Sequence, residues 1–438
     1  RRRRYWSCSG RDLVFQLAAK EITMYLRRWV LCCLVMMCTV RVGSGGPAQA
    51  GEIVIGGQCD RTGPTKSIGL QACPGILDYV KLVNTQGGIH GHTLRYIEVE
   101  HGYKTDRGVE AYERLKRAGA VAVFDYGTPM VYALTPRHLE DKIPGLTPGF
   151  GRADATDGHR YPYVFPMAAS YWSQMGAAMS YLKDYGGVQS GSKIAYLFYD
   201  NPSGREPLPI FHRICALEGY TCRDFAVPAP GVEMVSQVLD ITRRMQADWV
   251  VGHLLGPAPA VAMKTLAKHG FPLNRVISLA TGAGEEDMKN AGWDTAQGYL
   301  GIQYTGVGRD FPVIQAIMQM YQAEQHVVPD FIGGVFYNRG VLIAALMIEG
   351  IRLTITQDGL PVTGEKVKKG YERIKDFTLG GLLPPLTVVP DDHEGGGWVR
   401  VVQTRGEQLV PVTDWFRGYR TLVLEEVQQA GTAETTKP

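Results

Sequence analysis

From residue 51 onward the chain changes its hydrophobic period at regular intervals. Ile53-Val54-Ile55 is a short β-branched run. Residues 67–86 then carry apolar side chains at helical spacing (Ile68, Ala72, Ile76, Tyr79, Val80, Val83) and stop at Gly87-Gly88. Residues 94–100 alternate as a half-buried strand. A helix over 105–118 follows behind a Thr/Asp cap, then a buried strand at 121–124 and a helix over about 130–141. The pattern restarts at 193–199 with a strand, a Ser203 cap and a helix to about Leu217. Strands at 222–227, 249–251 and 275–279 then alternate with helices at 232–246 and 258–268.

Strands alternating with helices through right-handed crossovers build parallel sheets covered on both faces. Two such series predict an α/β protein with two doubly wound parallel-sheet lobes. One more extended piece at 298–304 precedes two helices, 312–325 and 336–351. A Gly/Pro-rich stretch near 380–397 then leads to a last strand at 398–402. Interleaving of this kind suits lobes joined by several hinge strands. Ligands of such sheets sit outside the carboxyl ends of the strands, so the loops after 57, 125, 147, 199, 252 and 280 are where chemistry is expected.

The first fifty residues follow another logic. Met24, the first methionine, opens a basic segment with Arg27-Arg28. Twelve residues from Trp29 to Val40, mostly apolar, follow, and a small-residue stretch ends at Ala48-Gln49-Ala50. That is the layout of a cleaved export signal, with cleavage expected after Ala50. Twelve residues fall short of the roughly 20 that span a bilayer. Upstream, Lys20-Glu21 can be encoded as AAGGAG, a ribosome-binding sequence two codons before Met24. Residues 1–23 are therefore expected to be untranslated leader, and 24–50 the signal peptide.

Charge and cysteine counts change once that segment is set aside. The chain has 46 Lys+Arg and 43 Asp+Glu; nine and two of these lie in residues 1–50, so residues 51–438 are mildly acidic at −4. Nothing in that balance points to nucleic acid, and Lys366, Lys368 and Lys369 look like a solvated helix face. Cys59, Cys73, Cys215 and Cys222 remain of eight cysteines. An even count in an exported chain predicts disulfides, and of three connectivities the local pairs 59–73 and 215–222 are expected. The spacings do not suit a metal site. No nucleotide, nucleophile-elbow or zinc-protease motif is present, so no catalytic activity, cofactor or metal is expected. Asp391-Asp392-His393-Glu394, between Pro390 and Gly395, reads as a solvated turn.

Several segments in order resemble one family. They are Asn84-Thr-Gln-Gly-Gly-Ile-His-Gly91 after the first helix, Leu146-Thr-Pro-Gly149, Tyr163-Val-Phe165, Tyr199-Asp-Asn-Pro-Ser-Gly204 and Ala296-Gln-Gly-Tyr299. Over residues 52–425 the chain resembles the periplasmic substrate-binding proteins of branched-chain-amino-acid-type ABC transporters, of the type I periplasmic-binding fold. The resemblance implies a monomer whose lobes close on a small molecule and hand it to permease subunits in the inner membrane. It implies discontinuous lobes, 51–167 with 303–380 and 168–302 with 381–425, followed by a flexible tail at 426–438.

The same resemblance places the ligand. A carboxylate is expected at the helix N-terminus behind Tyr126-Gly127-Thr128, where dipole and unpaired N–H groups favour an anion, and at Gly149-Phe150-Gly151. Gly151 stands where amino-acid binders carry Ser or Thr, and Ala280 near where they carry an acid for the ammonium; Glu285 is expected to cap a helix. Leu255 falls near the position of a second-lobe aromatic. Tyr171 and Trp172 begin a helix just past the first hinge, and Tyr199, His253 and Thr281 end or follow second-lobe strands. With Tyr126, Phe150, Tyr171, Trp172 and Leu255 as walls, the expected ligand is an apolar or aromatic carboxylate or amide and not a zwitterion. The competing readings are a branched-chain amino acid receptor and a periplasmic sensor of the same fold. N-terminal sequencing is expected to find Gly51 first in the exported protein and Met24 first in its precursor; a precursor containing Arg1–Thr23 contradicts the leader assignment.

Overall fold

The computed structural model describes residues 51–435, with side chains to Ala430. The expected leader (1–23), the signal peptide (24–50) with its cleavage site, and residues 436–438 lie outside the described residues.

The first series builds a parallel sheet in the order β2-β1-β3-β4-β5. Its strands are β1 (Glu52–Cys59), β2 (Thr93–Glu100), β3 (Val123–Phe124), β4 (Gly145–Leu146) and β5 (Val164–Phe165). Between them run α1 (Lys66–Thr85), α2 (Thr105–Arg117) and α3 (Thr128–Asp141). The chain then leaves through α4 (Tyr171–Tyr185) for a second sheet. There β6 (Lys193–Tyr199), α5 (Leu208–Glu218), β7 (Thr221–Val227), α6 (Val235–Leu239) and β8 (Trp249–His253) alternate. They continue into α7 (Ala258–Lys268), β9 (Val276–Ser278), α8 (Glu285–Ala291) and β10 (Leu300–Gln303).

Next the chain returns to the first lobe as α9 (Pro312–Ala323), α10 (Val335–Asp358) and α11 (Gly364–Tyr371). It crosses back to add β11 (Arg400–Arg405) and β12 (Gln408–Pro411), both antiparallel, at the edge beside β10. The second sheet therefore reads β12-β11-β10-β9-β8-β6-β7. Two sheets, each dominated by parallel pairs, bear out the expected α/β architecture.

Several local expectations shift. Asn201, not Ser203, caps the turn after β6, its side-chain oxygen accepting from Gly204 N at 2.9 Å. The helix expected over 232–246 is α6 followed by a wider π turn, Asp240–Met245. A final helix, α12 (Arg420–Thr435), occupies most of the stretch expected as a tail from 426, with Val427 buried. Both expected disulfides are present, Cys59–Cys73 and Cys215–Cys222.

Helix α10 positions the site. Its 24 residues are long and apolar enough to cross a membrane, yet most of them are buried inside the first lobe. It lies backbone to backbone on α1: a Cβ on Gly340 would meet the Ala72 carbonyl at 1.9 Å, and one on Gly75 the Tyr337 carbonyl at 2.4 Å. Two glycines facing each other thus let the helices approach closely enough to aim the first turns of α10 at the gap between the lobes.

In the segment expected as a solvated turn Asp391 is indeed exposed, but His393 and Glu394 are buried and form a tie at the hinge. Arg420, from α12, pairs with Glu394 and, at 2.6 Å, with Asp392. Glu394 is fully buried and also accepts from Ser170 N, the cap of α4. His393 stacks on Phe165 at 4.0 Å and is within 3.1 Å of Glu372. Gly and Pro around the four residues mimic a surface loop, but the chain there crosses between lobes and its charges are paired. Removing one partner of a buried pair costs about 3–5 kcal/mol. Arg420→Met is therefore expected to lower the urea unfolding free energy by about that amount, and a change below about 1 kcal/mol would reduce the cluster to a surface pair.

Candidate functional site

A cavity of about 70 Å³ lies between the lobes at the carboxyl ends of both sheets. The first lobe lines it with Tyr126, Gly127, Thr128, Gly149 and Phe150, the second with Tyr171, Leu255, Ala280 and Thr281. Eight of the twelve residues expected from sequence thus meet in one place. Tyr126 donates to Thr65 O at 3.2 Å and sets its ring edge-on to Phe124, which also carries Phe150 edge-on. Gly149 has φ +79°, and a Cβ there would fall 2.3 Å from the Tyr304 ring, so the bare backbone is what leaves the space open.

Helix α3 begins at this wall. Gly127 (φ +102°) turns the chain into it, and no side chain caps it. Thr128 Oγ1 is buried and makes no well-formed hydrogen bond, with the Tyr171 phenol as its neighbour. Thr281 Oγ1, on the opposite lobe, is likewise buried without a partner. Unpaired hydroxyls beside a helix N-terminus suit an anionic oxygen.

The charge at the cavity comes from a residue that sequence reasoning missed, Arg339. It sits in the second turn of α10 and is 6% exposed. Nη1 donates to Ala280 O at 2.9 Å and Nη2 to Gln303 Oε1 at 2.6 Å, while Nε has no partner. The guanidinium lies over the rings of Tyr304 (4.6 Å) and Phe336 (5.2 Å), a cation–π arrangement that offsets part of its desolvation. Burial lowers its pKa, but a guanidinium stays charged in proteins. No described carboxylate forms an ion pair with it. The acids whose charge acts on it, Glu285 and Asp287, both accept from backbone N–H groups instead, of Val335 and Gly284. Neither lines the cavity. One signal could have found Arg339: it is the lone charge in the eighteen residues 331–348, an otherwise uncharged run too apolar for a surface helix.

Four expected residues stand outside the cavity wall. Trp172 turns away, donating from Nε1 to Glu206 O at 2.8 Å. Tyr199 is half-buried at the end of β6, with Gly231 against its ring. Gly151 packs on Val131 and Thr147. His253 lies directly behind Tyr171, with ring centroids 4.3 Å apart. Because the Tyr196 hydroxyl donates to Gly204 O, His253 Nδ1 donates to that hydroxyl at 3.3 Å, leaving Nε2 a buried lone pair. Desolvation drives the His253 pKa down to about 3, so the ring is neutral.

Contacts across the gap show the lobes drawn together. Gln174 of α4 donates to Gly149 O at 2.7 Å and accepts from Ala280 N. Glu285, expected to cap a helix, follows the N-cap Gly284 of α8, and its carboxylate caps instead the N-terminus of α10 in the other lobe, accepting from Val335 N at 2.9 Å. Gly256 leaves no room for a side chain, since its Cβ would meet Pro64 O at 2.2 Å.

Comparison with known proteins agrees with this geometry. Residues 52–408 match the family model described as periplasmic binding protein. Among solved structures, a protein described as an ABC transporter permease from the Pseudomonas fluorescens group is 32% identical, with TM-score 0.79 over 90% of this chain and 99% of its own. A branched chain amino acid ABC transporter from Thermus thermophilus with bound valine is 21% identical (TM-score 0.76; 86% and 98% covered). A fatty acid ABC transporter substrate-binding protein from Thermomonospora curvata is 16% identical (TM-score 0.73; 86% and 94%). The last two show the fold alone. No curated protein matches the chain.

Proposed function

We propose, because the chain belongs to the periplasmic binding protein family, that it is exported and captures a small apolar or aromatic carboxylate without an α-ammonium group, for delivery to the permease of an ABC importer. As a member of that family it is a substrate-binding transport protein and not an enzyme.

One observation carries the ligand class: the charged inventory of the cavity wall is a lone guanidinium, with no carboxylate. An α-amino acid would bring its ammonium into a wall that already holds an unpaired positive charge and offers no acid, a burial that costs several kcal/mol. A neutral amide would leave the guanidinium unmatched. A carboxylate meets it with charge-assisted hydrogen bonds, with Thr128, Thr281 and the start of α3 as further donors. The remaining wall of Ile68, Phe124, Tyr126, Phe150, Tyr171 and Leu255 favours an apolar body.

The test compares matched pairs by thermal shift: 4-methylpentanoate against leucine, and 3-phenylpropanoate against phenylalanine. The acids lacking the amino group are expected to stabilise the exported chain, by about 2.7 kcal/mol at a hundred times the dissociation constant. The amino acids are expected to leave it unchanged, and stabilisation by leucine alone contradicts the proposed class. Arg339→Met should weaken binding of the stabilising acid by about 2–5 kcal/mol, and Arg339→Lys, which keeps charge but loses the planar fork, by less.

A further inference from the structure

A second buried charge spans the gap away from the cavity. Glu206 follows the Pro202–Arg205 turn between β6 and β7 of the second lobe. Its Oε1 accepts from Ala153 N at 2.5 Å, in the loop between β4 and β5 of the first lobe. The other oxygen, Oε2, is buried with no hydrogen-bond partner. The residue is 8% exposed, and Trp172 holds its backbone from behind. The Ala153 amide begins a 3-10 turn (Ala153–Thr156), so its N–H has no partner within that turn.

We infer that Glu206 is a positioning residue for lobe closure and that it closes in its protonated form, so that the gap takes up one proton as it shuts. The carboxylate bonds to the opposite lobe through one oxygen while the second is removed from water with nothing to receive. An ionised group in that state is expensive, and a neutral one far less so. The groups that face it do not rescue the charge. Asp154 and Arg152 lie on the first-lobe loop and oppose each other, Arg152 pairing with Asp154 at 2.8 Å. Tyr132 of α3, Tyr171 of α4 and Tyr196 of β6 also face it, each with its phenol pKa raised. Burial is the leading cause that pushes the Glu206 pKa well above the ordinary carboxylate value.

The direction of the pH effect follows. With the lobes apart Glu206 is solvated and titrates as an ordinary carboxylate; with the lobes together its pKa is raised. The closed state therefore binds more protons in the window above the ordinary carboxylate pKa. Closure is favoured as pH falls through that window and is lost as pH rises through the raised value, by up to tenfold in the closing equilibrium per pH unit for one proton. The inference does not depend on which ligand the cavity holds.

Small-angle scattering of the ligand-free exported chain between pH 8 and pH 5 tests it. The wild-type radius of gyration is expected to fall as the pH is lowered, while Glu206→Gln, neutral and isosteric, stays compact at both ends. Ala153→Pro removes the N–H at the first position of its turn, where proline is tolerated, and Arg152 before it is already extended (φ −76°, ψ 102°). That variant is expected to remain open at both pH values. A wild type with one radius throughout, or a Glu206→Gln variant that still compacts on acidification, overturns the inference.

Discussion

Removing a guanidinium from water without a carboxylate to meet it costs several kcal/mol, and Arg339 stands in that position at the gap between the lobes. Much around it reads as a response to that cost. Glycines at 75 and 340 let α10 lie close enough on α1 to carry the residue to the gap. Tyr304 and Phe336 offer their faces, while Ala280 and Gln303 accept two of its N–H groups. The arrangement falls one anion short of balance, and the proposed carboxylate would supply it.

The same residue ties recognition to motion. Ala280 belongs to the second lobe and Gln303 to the last residue of β10, where the chain turns back, so Arg339 donates across the gap and to the crossing strand. Glu285 reaches the other way, onto the first amide of α10. Pulling the lobes apart would break both contacts and return the guanidinium to water. The Asp392–Glu394–Arg420 cluster lies on the hinge side and fixes the crossing chains to one another. The gap thus opens about a tie whose charges are already paired, toward a residue whose charge is not.

The scaffold was legible because its signals are local. Strand and helix periods, the stop at Gly87-Gly88 and the close cysteine pairs each depend on a few neighbouring residues, and the structure reproduces them. Loops at the carboxyl ends of strands led to Thr128, Gly149, Phe150 and Thr281, and the helix start past the first hinge to Tyr171, all at the cavity. Trp172 failed because adjacent helical residues face about 100° apart, so only one of Tyr171 and Trp172 can turn to the gap. Arg339 was hidden because chemistry was sought in the loops at the carboxyl ends of strands, and it lies inside a helix, α10. Asp392 and Glu394 were hidden by glycines and a proline that punctuate a hinge as they would a surface turn.

The proposed ligand is an anion without an ammonium group, held by Arg339. Mass spectrometry of the small molecule that co-purifies with the exported chain, released by denaturation, addresses it most directly. A monocarboxylate with an apolar or aromatic body and no amine is the expected result, present on the wild type and absent from Arg339→Met. An α-amino acid released in stoichiometric amount would rule out a ligand without an ammonium group.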